Sequence, residues 1–257
     1  MAFKLTSLFD LTGRTALVTG GNSGIGMTMA RALGMAGASL ILVARRESVL
    51  ESAAASLTHD GLVVTTIAAD LAAKDAHKKI GAASHSKSLT VDIVVNAAGV
   101  NLRRPFAEVS ADNFDLHMAL HLRAPFLLTQ TFAPAMAKRG WGRIITIASL
   151  QSWRAFPDSA PYGTAKGGVL QLTRAIAEEW SRHGVTCNAI APGFFPTPLT
   201  EPVFGNPERA SHVATQTAMG RNGHFTDLVG ATVFLASDAS SYITGQTLAI
   251  DGGFTAK

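Results

Sequence analysis

Cysteine is nearly absent: Cys187 is the only one in 257 residues. No intramolecular disulfide and no cysteine-built zinc cluster can form. The thiol sits in the strand-like run 185–191 and reads as buried and inert. A chain with so little cysteine fits a reducing cytoplasm. Long hydrophobic runs are also missing; none reaches the roughly 18 residues a membrane span needs. The opening stretch MAFKLTSLFDLTGR has no apolar signal core, so no secretory leader is expected. Aromatics make up 7% of the chain and the net charge is only +4. The one cluster of positive residues, Lys74, Lys78 and Lys79, reads as a solvated helix face. A nucleic-acid surface would want denser basic clustering with interleaved aromatics. No metal-ligating cluster, nucleic-acid partner or membrane partner is therefore expected.

Short apolar runs are what the chain has in quantity. Thr15–Val18, Leu40–Val43, Ile93–Val95 and Ile144–Ile147 are near-continuous, as in strands buried on both faces. Strands are expected at 14–19, 39–44, 62–68, 91–96, 143–148, 185–191 and 246–250. Helices are expected at 24–36, 46–58, 72–86, 111–139, 161–183 and 226–236. Strict alternation implies right-handed crossovers and a parallel sheet. The fold class is thus α/β: a single doubly wound, Rossmann-type domain over 1–257, with seven mainly parallel strands and helices on both faces. Its ligand crevice should lie at the carboxyl ends of the strands. The segment 193–224, rich in proline, breaks the rhythm. It reads as an irregular substrate loop or, alternatively, as a plain surface excursion.

Three motifs carry chemistry. The first is Thr19-Gly20-Gly21-Asn22-Ser23-Gly24-Ile25-Gly26, directly after the first strand and opening a helix. Glycines there allow a tight turn, a close pyrophosphate and close helix–strand packing. The helix start adds free N–H groups and a positive dipole end. The second is Ala44-Arg45-Arg46 at the end of the second strand. An acid there would bind the ribose hydroxyls of NAD, whereas an arginine accommodates the 2′-phosphate of NADP. Arg45 and Arg46 therefore favour NADP(H), with NAD(H) still possible; an exposed helix start is the plainer alternative. The third is Tyr162-Gly163-Thr164-Ala165-Lys166. Residues four apart share a helix face. An ammonium beside the phenol is expected to lower the tyrosine pKa from about 10 toward neutrality, giving a usable acid/base. Ser149, at the carboxyl end of the fifth strand, falls where the crevice should be.

From about Leu11 to Gly253 the chain resembles a short-chain dehydrogenase/reductase. The resemblance rests on TGGNSGIG (19–26), Asp70, NAAG (96–99), Ser149, YGTAK (162–166), Asn188, PGFFPT (192–197) and DGG (251–253). It implies that Tyr162 exchanges the proton with the carbonyl oxygen. Lys166 would lower the Tyr162 pKa and hold the nicotinamide ribose, and Ser149 would place the substrate oxygen. Asp70 would meet the adenine amine, with Leu71 beside it. Asn96, Ala97, Ala98 and Gly99 would line the dinucleotide groove. Pro192, Gly193, Phe195 and Thr197 would close over the cofactor, Thr197 binding its carboxamide. Ala97 departs from the family's usual second asparagine. His121 stands where the family usually has an asparagine holding a proton-relay water. His121 could take over that relay, giving a pH inflection near the ordinary imidazole value of about 6.5. It could equally be a packing residue with the relay absent.

Within the family the text LFDLTGRTALVTGG (8–21), LRRPFAEVSADNF (102–114), LRAPF (122–126) and CNAIAPGFFPTPLT (187–200) is similar to the gluconate 5-dehydrogenase branch. That implies a small-molecule carbonyl/alcohol substrate of the sugar-acid or polyol class. Arg103, Arg104 and Arg154 lie in loops where one could clamp a carboxylate, or be ordinary surface arginines. The family also implies a homotetramer or homodimer. Two alternatives stay open: a reductase of 3-oxoacyl thioesters or other ketones, and a dinucleotide-binding regulator with little turnover.

Overall fold

In the computed structural model, which describes residues 4–256, the apolar runs form seven strands. These are β1 (Thr15–Thr19), β2 (Ser39–Ala44), β3 (Val64–Ala68), β4 (Ile93–Asn96), β5 (Gly142–Ile147), β6 (Val185–Pro192) and β7 (Thr247–Ile250). They make one sheet in the order β3-β2-β1-β4-β5-β6-β7, with every neighbouring pair parallel. Residues 1–3 and 257 of the expected 1–257 domain lie outside the described residues.

The helices are α1 (Leu5–Leu8), α2 (Gly24–Met35), α3 (Glu47–His59), α4 (Ala76–Ser86), α5 (Ala111–Met118), α6 (Ala124–Arg139), α7 (Ala160–Trp180), α8 (Glu201–Phe204), α9 (Pro207–Thr215) and α10 (Val229–Ala236). Successive strand side chains point to opposite faces, so the inner strands feed two cores. Ala16 and Val18 of β1 join Met29 and Leu33 of α2, Leu50 of α3 and Leu235 of α10. Leu17 between them joins Ile80 of α4, Phe132 and Met136 of α6, and Ile176 of α7. Helices therefore cover both faces, and the strands are apolar on both. Strand order reverses between β1 and β4, and a crevice opens there at the carboxyl ends.

Two local features differ from the expectation. The span 111–139 is helical throughout but not uniformly α: residues Ala119–Arg123 form a π turn between α5 and α6. Such insertions occur often at functional sites. The segment 193–224 is not wholly irregular either. It contains α9, started by Asn206, whose side chain accepts from the Arg209 amide, and by Pro207 in the first turn. That pairing is a standard helix start, present in the text but masked by the surrounding prolines. Among the described residues no helix is long and apolar enough to cross a membrane.

Candidate active site

The Gly-rich turn is packed too closely for side chains. A Cβ on Gly26 would stand 2.3 Å from the Gly20 carbonyl oxygen, and one on Gly20 would stand 2.8 Å from the Ala98 Cα. Gly20 also has φ +67°, which glycine adopts without strain. Ser23 begins α2 without capping it through its side chain. The first amides of that helix thus remain open to a phosphate, as a dinucleotide cradle requires. On the facing loop Thr19 does unforeseen work: its hydroxyl oxygen accepts from the amides of Ala97 (3.1 Å) and Ala98 (3.3 Å), fixing the turn after β4.

These elements border one cavity of about 860 Å³, ample for a cofactor. Gly20, Asn22, Ser23, Gly24, Ile25 and Gly26 line one end, with Arg45, Arg46, Asp70 and Leu71 beyond them. Both arginines are exposed, and among the described residues neither forms an ion pair, so both remain available to an added phosphate. The Asp70 carboxylate accepts from the Ala72 amide at 3.0 Å. Ala97, Ala98, Gly99, Pro192, Gly193, Phe195 and Thr197 also line the cavity. Asn96 does not: it is buried at the end of β4, its amide donating to the Thr146 hydroxyl at 3.3 Å. The expected groove-lining role of Asn96 is thus corrected: its side-chain amide is engaged by Thr146, its register partner on the neighbouring strand β5.

The reactive end brings Ser149, Tyr162 and Lys166 together. Ser149 begins a short 3-10 turn, its oxygen accepting from the Gln151 amide at 3.1 Å. Tyr162 lies in the first turn of α7 and borders the cavity beside Ser149. Lys166, one turn on, donates from Nζ to the Ile147 carbonyl at the end of β5 and lies 5.5 Å from the Tyr162 ring centroid. Burial pushes the phenol above its ordinary value, and the Ser149 hydroxyl offsets only part of that rise. The same burial brings Lys166 down to about 7. The expected lowering of Tyr162 by an ammonium is therefore corrected: a cation stripped of water is itself disfavoured, so desolvation outweighs charge for both groups.

His121 also lines the cavity, in the π turn, with its ring 5.2 Å edge-on from that of Tyr162. Its Nε2 lies 2.8 Å from the Val100 carbonyl and 3.4 Å from the Val100 amide. One nitrogen cannot serve both, and the shorter contact makes Nε2 the donor. Burial first, then the charge of Lys166, holds the imidazole well below 6.5. A relay that titrates near 6.5 is therefore corrected: His121 stays neutral there.

The remaining expectations divide. Arg103 lines the cavity and donates to the Pro157 carbonyl at 3.0 Å. Arg104 and Arg154 do not line it, a correction with local causes. The Arg104 amide donates to the Asp158 carbonyl, tying that stretch of backbone to the loop before α7, and the Arg154 guanidinium rests 5.2 Å from the Phe254 ring centroid. Asn101, Gln151, Phe156 and Gln216 line the far part; they carry no motif, and only their place after strand ends hinted at them. Phe156, Phe194 and Phe254, from the segments after β5, β6 and β7, meet with centroids 5.7–6.3 Å apart. Among the described residues no group of three or more His, Cys, Asp or Glu is placed to hold a metal.

A family model described as enoyl-(acyl carrier protein) reductase matches residues 20–255. The chain is 40% identical to a gluconate 5-dehydrogenase of Gluconobacter oxydans (strain 621H), covering 96% of this chain and 97% of that one. It is 36% identical to a 2-dehydro-3-deoxy-D-gluconate 5-dehydrogenase of Bacillus subtilis (strain 168), covering 98% and 99%. Its structure resembles the crystal structure of a gluconate 5-dehydrogenase from Burkholderia cenocepacia J2315 in complex with NADP and tartrate. That match has a TM-score of 0.94 at 35% identity and covers 99% of this chain and 100% of the other.

Proposed function

Because this chain belongs to the short-chain dehydrogenase/reductase family, we propose that it interconverts a ketone and a secondary alcohol on a sugar acid or polyol, with NADP(H) as the preferred cofactor. One observation carries the reading: Ser149, Tyr162 and Lys166 meet in the same cavity as the glycine cradle and the Arg45–Arg46 pair. When bound, the nicotinamide dinucleotide supplies or accepts the hydride. Gly20, Gly24 and Gly26 would let its phosphates approach α2, Arg45 and Arg46 would take the 2′-phosphate, and Thr197 and Lys166 would hold the nicotinamide end.

Tyr162 gives its phenolic proton to the substrate oxygen in reduction and takes it back in oxidation. Its raised pKa keeps it protonated at neutral pH, ready to donate. Ser149, which borders the same cavity, directs the substrate oxygen to the phenol. Lys166, near neutrality, exchanges protons with its surroundings at little cost. Arg103 is the arginine we assign to the substrate carboxylate, since it borders the cavity. The segment 193–224 supplies the substrate-side wall. The tartrate held by the Burkholderia relative, a hydroxy acid, supports this substrate class. Family membership further supports a cytoplasmic homotetramer or homodimer, which light scattering on the purified protein tests.

The deciding assay follows NADPH and NADH oxidation against a panel of ketones that includes 5-ketogluconate. Turnover of a keto sugar acid with NADPH is expected. No turnover of any ketone, or a tenfold or greater preference for NADH, overturns the reading.

A further inference from the structure

Three side chains that stand outside the proton-transfer set share one helix face: Asn113, His117 and His121 occur at every fourth position. Each reaches the backbone of residues 100–102, in the loop after β4. The Asn113 amide donates to the Leu102 carbonyl at 3.3 Å. His117 Nε2 accepts from the Leu102 amide at 3.2 Å. His117 Nδ1 donates to the Asn113 carbonyl at 2.7 Å, which sets its tautomer opposite to that of His121. His121 Nε2 donates to the Val100 carbonyl. Both imidazoles are buried, with 0% and 2% of their surface exposed. Their rings stack 6.0 Å apart and stand edge-on to Tyr162 at 6.4 and 5.2 Å. A Cβ on Gly99 would come within 2.5 Å of the His121 ring, so the loop and the imidazole fit only with glycine there.

The contacts take up polar groups of a loop that has no strand partner at this point. Left alone, such buried amides and carbonyls are costly. The same loop presents Val100, Asn101, Leu102 and Arg103 to the cavity. We propose that Asn113, His117 and His121 form a hydrogen-bonded ladder that holds the 100–103 wall against the substrate, with His117 as a positioning residue for substrate recognition. The π turn belongs to this device, because it sets the register in which His121 reaches Val100 while α5 presents Asn113 and His117. The proposal builds on the functional reading above only in naming that wall as the substrate's.

The test compares His117→Leu, which keeps bulk and removes both bonds, with His117→Gln, whose side-chain oxygen can accept from the Leu102 amide. Hydrogen–deuterium exchange of the peptide over 99–105 reports the wall directly and needs no substrate. His117→Leu is expected to speed exchange there, and His117→Gln to restore most of the protection. In turnover, the KM for the ketone should rise about tenfold in His117→Leu, with kcat and dinucleotide affinity little changed. If His117→Leu does not fold, Asn113→Ala, at a half-buried position, carries the same two measurements with smaller effects. Unaltered exchange in a folded His117→Leu, or His117→Gln as damaged as His117→Leu, overturns the ladder. Faster exchange without a change in KM overturns the link to substrate. A wild-type protein that reduced no ketone would sink the functional reading and leave the exchange result standing.

Discussion

Tyr162 holds its proton because water is kept from it, so single-residue effects should be large at this point. Tyr162→Phe removes the positioned acid and should lose at least about 10²-fold in kcat while still binding dinucleotide; a variant keeping more than a tenth of wild-type turnover would count against it. The sign of the pKa shift also sets the pH dependence. Alcohol oxidation needs the phenolate, so its rate should climb as the solution becomes alkaline, whereas reduction should not need alkali. Arg45→Ala should raise the KM for NADPH and barely change that for NADH, measured side by side. His121 is buried and neutral near pH 6.5. The kcat–pH profile should therefore show no inflection there that disappears in His121→Asn.

At the level of elements, the glycine turn invites the sharpest test. Gly26→Ala places a methyl group 2.3 Å from the Gly20 carbonyl oxygen. Backbone must move, at a cost of about 1–3 kcal/mol; a lower Tm and weaker dinucleotide binding by fluorescence titration are expected, and an unchanged Tm would refute the close approach. Strands are readable in the sequence because parallel strands are largely apolar on both faces, and all seven start within two residues of expectation. Ser149, Tyr162 and Lys166 were readable because each follows a strand end at a motif. The π turn at 119–123 was not, since a one-residue widening of a helix leaves no composition mark. His117 repeats the spacing of His121 but carries no signal of its own, because the bonds it makes are to backbone, which every sequence contains. Asn96 and Arg104 follow the same logic: a motif gives a residue's place along the chain, while its packing, as with Asn96 against Thr146, decides whether it borders the cavity.

Taken as a whole molecule, the protein holds a buried lysine at its centre, and that has a cost visible from outside. An unfolded chain keeps the Lys166 proton up to its ordinary 10.5, while the folded chain releases it at about 7. Between those values the unfolded state binds more protons, so raising the pH stabilises the fold. Relative to Lys166→Met, the wild-type protein free of cofactor should gain thermal stability from pH 7 toward 10, with a level difference below 7. A difference in Tm that stays flat across that range would mean the lysine is not desolvated. The three phenylalanines that meet above the sheet reach further still. Phe156, Phe194 and Phe254 come from three separate loops, so those loops pack as a set. Grafting one of them from a relative with a different appetite would leave two rings facing a mismatched third. Recombination that reshapes this enzyme should succeed when all three travel together and fail when they are shuffled singly.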